Sequence, residues 1–454
     1  MTQRVPHSSS NSHASGRTFT RRQFLSTAAI AGAGITLGLR HRAVASTAAN
    51  SKLNVGFIGV ANRAGEDLKE VARETDLVNV AALCDVDEKF LAEAAAQHPS
   101  AKTFTDFRKM IDMKEIDAVV VGTPDHFHAV ASMAALKSGR HVYCEKPLTH
   151  TVSEARAITE TAHKLKRATQ LGTQIHSLDN YRRVVELVQT GAIGPIREVH
   201  VWSGARYGGM DKPTDTPPIP AGFHWDAWLG PVEARPYHPE YAPFKWRNWW
   251  AFGGGTLADF GCHFMDLPYW ALDLKYPTRV EVVDGPPVHP ESTPVWLIVR
   301  YAFPERKAIR DGSTLPGLKL TWYHGGKQPS ILTEEQATYF KSGVYFVGEK
   351  GCLLADYTRR SLLPEKDFAS FKPPTPYIPK SIGHHKEWIM ACKDGTPTTC
   401  NFDYSGPLTE TALLGNAAYR AGCSFDWDAK HLKPIGCATA EQYIQHHYRK
   451  GWKL

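Results

Sequence analysis

From Lys52 onward the apolar residues change period about every ten to fifteen positions, alternating short β-branched runs with stretches that carry one apolar face. The runs at 53–58, 78–84, 118–121, 141–144 and 168–171 predict strands, and 66–73, 88–97, 128–137 and 154–166 predict the helices between them. Runs apolar at successive positions suit strands covered on both faces, so the first half is expected to be a parallel, doubly wound α/β sheet. The second half reads differently. Strand-like runs follow one another at 196–203, 279–283, 295–303, 318–323 and 344–348, which builds a second sheet and not another strand–helix repeat. The proline-rich stretches 213–220 and 364–379 read as loops, the first of them a candidate cover for a site.

In a doubly wound sheet the carboxyl ends of the strands open on a ligand crevice. The first strand runs into Gly59-Val60-Ala61-Asn62-Arg63-Ala64-Gly65, placed as a Gly-x-Gly-x-x-Gly phosphate turn, with Ala61 and Ala64 at the second and third glycine positions. Alanine is common at the third, whereas a methyl at the second crowds the approach to a pyrophosphate. Asp85 ends the second strand where a carboxylate accepts both ribose hydroxyls of a dinucleotide; a plain helix N-cap is its other reading. No arginine follows it to receive a 2′-phosphate, so NAD is expected over NADP. Gly59, Ala61, Asn62, Arg63 and Asp85 are therefore candidate cofactor contacts. Thr123, Pro124 and His126 join them at a later strand end, with Asp125 as a cap for the next helix. His126 and His128 lack a third ligand at metal spacing, so no metal is expected.

Glu145-Lys146-Pro147 follows the 141–144 strand and directs a lysine at cofactor and substrate. Further on, Gly253-Gly254-Gly255 opens a helix in which Asp259 and His263 stand four residues apart, on one face. A carboxylate one turn before a histidine can hold the ring's tautomer and raise its basicity, which suits removal of a hydroxyl proton. Trp202, Trp225, Trp228, Trp246, Trp249, Trp250 and Trp270 crowd the same region; most are expected in the core and at most two against a ligand. Tyr207, Arg247, Asn248 and His324 are candidate contacts to substrate hydroxyls.

The net charge of +7 is concentrated in residues 1–45, which hold six arginines and no acid, leaving a balance of +1 for the rest. A nucleic-acid-binding face is therefore not expected. The same 45 residues have the parts of an export signal: twin arginines Arg21 and Arg22 before Phe24-Leu25, a mild apolar run, and Ala43-Val44-Ala45 as a cleavage pattern. A periplasmic or otherwise exported protein follows, delivered folded by the twin-arginine machinery and without a stable membrane span. Eight cysteines with no Cys-x-x-Cys pair do not make a disulfide framework, though an oxidising compartment permits a pair among Cys392, Cys400, Cys423 and Cys437.

With the Rossmann-like half, Thr123-Pro124-Asp125-His126-Phe127-His128, Glu145-Lys146-Pro147 and the glycine-led Asp259/His263 helix, the chain resembles the Gfo/Idh/MocA oxidoreductases over about 53–422. The resemblance implies an N-terminal Rossmann domain (46–173 after a signal at 1–45), and a C-terminal α/β domain with an open, mainly antiparallel sheet (174–430). An extension follows at 431–454. It implies Lys146, Asp259 and His263 as the catalytic set, a cis Lys146–Pro147 peptide, Gln174 near a nicotinamide, and a homo-oligomer through the C-terminal sheet; Glu145 and Lys146 are further candidate cofactor contacts. It also implies a sugar or cyclitol substrate. The departures are Ala61, Ala64 and the pair Ile175-His176, where many relatives carry arginines.

The expected chemistry is NAD(H)-dependent oxidation of a secondary hydroxyl on a sugar, glycoside or cyclitol. His263 takes the proton, Lys146 steadies the alkoxide and Asp259 orients His263, with the roles of Lys146 and His263 open to exchange. Outside the cytoplasm no pool of NAD recycles the cofactor, so a retained dinucleotide is expected. Two other readings stand beside it: a redox-neutral glycosidase working by oxidation, elimination and re-reduction, and a secreted carbohydrate-binding protein without turnover.

Overall fold

The computed structural model describes residues 52–454; the export-signal reading lies outside the described residues. Six strands, β1 (Leu53–Ile58), β2 (Val78–Cys84), β3 (Lys102–Phe104), β4 (Ala118–Val121), β5 (His141–Cys144) and β6 (Thr169–Leu171), form a parallel sheet in the order 3-2-1-4-5-6. This is the dinucleotide-binding order, with its crevice where the chain reverses direction between β1 and β4. Alternate residues of the strands feed two cores, Val55 and Phe57 on one face, Ile58 and Val121 on the other, which is why the strands read as continuously apolar.

The second sheet has nine strands, β7 (Ile196–Ser203), β8 (Arg279–Asp284), β9 (Leu297–Phe303), β12 (Leu318–His324), β13 (Gly343–Gly348), β14 (Gly351–Ala355), β15 (Arg360–Leu363), β16 (Phe425–Asp428) and β17 (Lys433–Ile435). The ribbon of β10 (Arg306–Lys307) and β11 (Thr314–Leu315) stands apart from it. The nine-stranded sheet is antiparallel except between β7 and β12. One face packs on the helices Asp179–Gln189, Gly255–Phe264, Asp266–Leu272 and Phe402–Ala421, enclosing Val199, Leu257, Tyr301 and Leu414. β9 alternates buried and half-buried residues as a one-sided strand should.

Later parts of the chain complete the first domain. Trp388 and Ile389 of the helix His384–Asp394 enter one core of the parallel sheet, while Cys400 and Phe402 enter the other. Arg156 grips Glu410 with two hydrogen bonds of 2.9 and 2.8 Å, joining the helices Val152–Leu165 and Phe402–Ala421. Residues 204–252 form an insertion with its own aromatic core of Trp225, Trp228, Tyr241, Trp249 and Phe252. Of the cysteines, Cys423 and Cys437 are joined, while Cys392 and Cys400 are free thiols.

Candidate active site

A cleft of about 330 Å³ runs along the carboxyl ends of the parallel strands. Its floor is the β1 turn. Gly59 has φ +85°, and a side chain there would press within 3.0 Å of the Gly122 carbonyl. Ala61, Asn62 and Arg63 line the cleft as the helix Asn62–Ala72 begins, and no side chain caps that helix, leaving its first N–H groups for an anion. Ala64 packs against β4: a Cβ on Gly122 would meet the Ala64 methyl at 2.5 Å. Asp85 accepts the Val60 and Asp87 N–H groups, each at 3.0 Å, and burial raises its pKa to about 6. It is not the cap of the next helix; Asp87 is, accepting from Lys89 N–H.

Thr123 and Pro124 line the cleft. His126 does not, and this corrects the sequence expectation: its buried ring turns away, with Nε2 2.9 Å from the Trp228 carbonyl and Nδ1 3.3 Å from that of Phe252. The ring is a peg between the dinucleotide domain and the aromatic insertion, and burial lowers its pKa to about 4. Asp125 is likewise no cap for its own helix, whose N-cap is Pro124; its Oδ2 accepts the Gly254 N–H at 3.2 Å. Burial, with a smaller push from Asp259 outweighed by the pull of Arg247, brings Asp125 to about 7. Asn416 donates to the Gly254 carbonyl at 2.7 Å, so both ends of that glycine are held where the Asp259 helix starts. Gly255 supplies φ +61° for the turn, and the helix Gly255–Phe264 then aims Asp259 back at the first domain.

Lys146, on the cis Lys146–Pro147 segment after β5, meets Asp259 in a buried ion pair. Arg247 Nε lies 3.2 Å from the same Asp259 oxygen. Burial works against the Asp259 charge, but Lys146 and Arg247 overcome it and hold the carboxyl well below the usual range. His263 donates no hydrogen bond to Asp259, a second correction: its Nδ1 has no partner among the described residues. Two full cations outcompete a neutral imidazole for one carboxylate. Burial first, then the Lys146 charge, lowers His263 to about 3. The Phe260 ring lies 5.9 Å from Lys146 Nζ and 6.4 Å from the His263 ring; Lys146 lines the cleft, whereas His263 is not part of its wall.

Tyr207 stacks on Phe260 at 6.3 Å; burial and the nearby Asp259 carboxylate raise its pKa. His324 is not free for a substrate, and Asn248 is held at its side-chain oxygen. The Asn248 Oδ1 accepts the Gly208 N–H at 2.7 Å, and the buried His324 ring accepts from Trp322 Nε1 at 2.9 Å with its other nitrogen 3.2 Å from the Pro294 carbonyl. His176 is also withdrawn, paired with Asp266 at 3.0 Å and stacked on Trp270. The 213–220 run is absent from the cleft wall; Phe223, His224, Phe244 and Trp246 border it instead. Of the seven tryptophans singled out above, Trp228 and Trp246 reach the cleft, and Trp452, which no sequence pattern marks, joins them.

Glu145 Oε1 accepts from Gln174 Nε2 at 2.5 Å and lies 3.5 Å from Arg63 Nε, while its Oε2 is buried without a partner among the described residues. Burial, with Asp67 adding to it, raises Glu145 to about 8. Thr123 Oγ1 is also buried and unpartnered. These orphaned polar atoms beside an uncapped helix start fit a dinucleotide in the cleft.

The fold order, the turn and the lysine–aspartate meeting of two domains define a dinucleotide-binding oxidoreductase. The chain matches the models of the oxidoreductase family's NAD-binding Rossmann fold over residues 53–173 and of its C-terminal alpha/beta domain over 182–454, and it belongs to the Gfo/Idh/MocA family. An inositol 2-dehydrogenase from Leifsonia xyli subsp. xyli is 34% identical over 152 residues, which is 33% of this chain and 44% of that protein. A glycosyl hydrolase family 109 protein from Shewanella pealeana is 27% identical over 153 residues, 32% of this chain and 33% of that one. The chain thus spans less than half the length of the curated relatives it matches. The crystal structure of an aldose-aldose oxidoreductase from Caulobacter crescentus shares the fold with a TM-score of 0.57 at 18% identity, covering 83% of this chain and 100% of that one.

Proposed function

We propose that the protein oxidises a secondary hydroxyl of a sugar, glycoside or cyclitol with NAD, and keeps the dinucleotide between turnovers. The observation that carries this is the convergence of Lys146 from the dinucleotide domain with Asp259 and Arg247 from the second domain, at the end of the cleft. Relatives named inositol 2-dehydrogenase and aldose-aldose oxidoreductase support the substrate class. The absence of an arginine after Asp85 supports NAD.

When bound, the nicotinamide supplies a hydride acceptor. Lys146, its ammonium held by Asp259, donates to the substrate oxygen and stabilises the alkoxide as it forms. We assign the hydroxyl proton to His263, whose Nδ1 has no partner among the described residues; burial and the nearby Lys146 keep the ring neutral by lowering its pKa to about 3, which also weakens it as a base. Asp259 is the counter-ion that fixes Lys146 and Arg247, not a tether for the imidazole. Arg247, which lines the cleft, and Tyr207, close to Asp259, are the polar groups we assign to substrate hydroxyls.

Unfolding the purified protein and identifying the released small molecules by mass spectrometry tests retention, with NAD(H) as the expected finding; its absence removes the retained-cofactor reading. Lys146→Ala is expected to lower kcat/KM by roughly 10²–10⁴-fold on an active pyranoside or cyclitol while leaving NADH bound. The glycosyl hydrolase relative favours a second reading, glycoside cleavage through transient oxidation, elimination and re-reduction. Product without net NADH at 340 nm distinguishes it. Export by the twin-arginine route, a periplasmic setting and a homo-oligomer across the second sheet complete the proposal. The Cys423–Cys437 bond and the half-exposed Ile298, Arg300 and Ala302 of β9 support them.

A further inference from the structure

Residues 444–454 cross three parts of the molecule. Ile444 lies in the core under the second sheet. The Tyr448 hydroxyl donates to Glu154 Oε1 at 2.7 Å on the dinucleotide domain. Arg449 donates to Asp226 at 2.6 Å, and its backbone N–H reaches the Pro231 carbonyl at 2.9 Å, so it holds the aromatic insertion. Trp452 then folds back over the dinucleotide domain, stacked on Phe107 at 6.3 Å and 18° and edge-on to Phe127 at 5.5 Å, with the Arg108 guanidinium 5.2 Å from its ring. The insertion is fastened at the same end, where His224 N–H donates to the Val86 carbonyl and Glu88 N–H to the Gly222 carbonyl, each at 2.9 Å.

Trp452, Phe107, Arg108 and Phe127 all line the cleft. Phe107 follows β3 and Lys146 follows β5, and the order 3-2-1-4-5 sets these strands four spacings apart, roughly 19 Å. That span matches an extended dinucleotide with its reacting ring at Lys146 and its purine beside Phe107. We propose that residues 445–454 are a clasp closing the purine end of the cleft, and that the Trp452 indole is the wall against which the purine rests. This rests on the NAD reading above. Base stacking on an aromatic ring is worth about tenfold or more in affinity, and a purine behind a clasp anchored at Glu154 and Asp226 leaves only when that clasp moves. The tail thus supplies a physical means of keeping a dinucleotide bound.

The test compares NADH with reduced nicotinamide mononucleotide, which lacks the adenosine, by fluorescence titration and by chase-induced dissociation on the full chain. Trp452→Ala is expected to weaken NADH about tenfold and speed its release by a similar factor, to leave the mononucleotide unchanged within about twofold, and to be largely rescued by Trp452→Phe. Arg449→Ala, which loosens the clasp but keeps the indole, is expected to speed NADH release as well. Equal losses for both ligands, or no change in NADH binding by Trp452→Ala, overturn the proposal. Tight NADH binding by the wild-type protein with an inert Trp452 defeats the clasp and leaves the NAD reading standing. A wild-type protein that binds neither ligand defeats both.

Discussion

At the scale of single residues, partners decide function more than spacing does. Asp259 and His263 lie four apart on one helix, yet the carboxylate is taken by Lys146, 113 residues earlier, and by Arg247. His126 looks like a crevice residue in the sequence and is a buried peg between two carbonyl groups. Its folded pKa of about 4 lies below the unfolded value of about 6.5, so the unfolded state binds more protons between those pH values. The ring's contribution is therefore present at pH 7 and is lost as pH falls toward 4. His126→Gln is expected to destabilise the protein at pH 7. Denaturant melts at pH 7 and pH 5 should show that deficit shrinking by on the order of 2 kcal/mol, because the variant has no ring to protonate on unfolding. A pH-independent deficit would remove the titration argument.

At the scale of elements, the strands of the first sheet are legible in sequence because burial on both faces leaves an uninterrupted apolar run, and β1 and β2 end where the pattern ends. Helices begin two to four residues earlier than the apolar period implies, at Asn62, Asp125 and Val152, because their first turns carry polar residues that face the cleft, cap the helix or bond distant backbone. β3, β16 and β17 are short and partly exposed, and carry too few apolar positions to stand out. The Ala64 departure from the phosphate-turn pattern is matched by Gly122, the residue after β4. Gly122→Ala is expected to cost about 1–3 kcal/mol and to weaken NADH binding, and Ala64→Gly in the same chain to restore much of both. Thermal melts and NADH titration of the two single variants and the double variant measure that coupling; simple additivity would mean that the two sites do not touch.

At the scale of the whole molecule, the two domains are stitched by side chains that sequence order does not pair: Arg156 with Glu410, Asp125 with Gly254, His385 with Asp67 at 2.9 Å. The Cys423–Cys437 bond closes a loop with a sequence separation of 14 that contains β16 and the edge strand β17. Constraining a loop of that length is worth about 3 kcal/mol in the chain-entropy picture. Cys423→Ser is expected to lower stability by about 2–3 kcal/mol in oxidising buffer. The difference should vanish when the wild-type protein is reduced, with an intact-mass change reporting the bond. Equal stability under both conditions would mean that the bond constrains nothing.

The sequence alone determined the doubly wound first domain, the sheet-rich second one, and the places where Lys146, Asp85 and Asp259 would stand, because local period and strand-end chemistry are carried by neighbours along the chain. Only the tertiary structure decided that Asp259 serves Lys146 and not His263, that His126 and His324 are occupied by structural hydrogen bonds, and that Trp452 reaches the cleft. Those outcomes depend on which charges and carbonyls meet across long sequence separations, and on how burial weighs each charge once they have met.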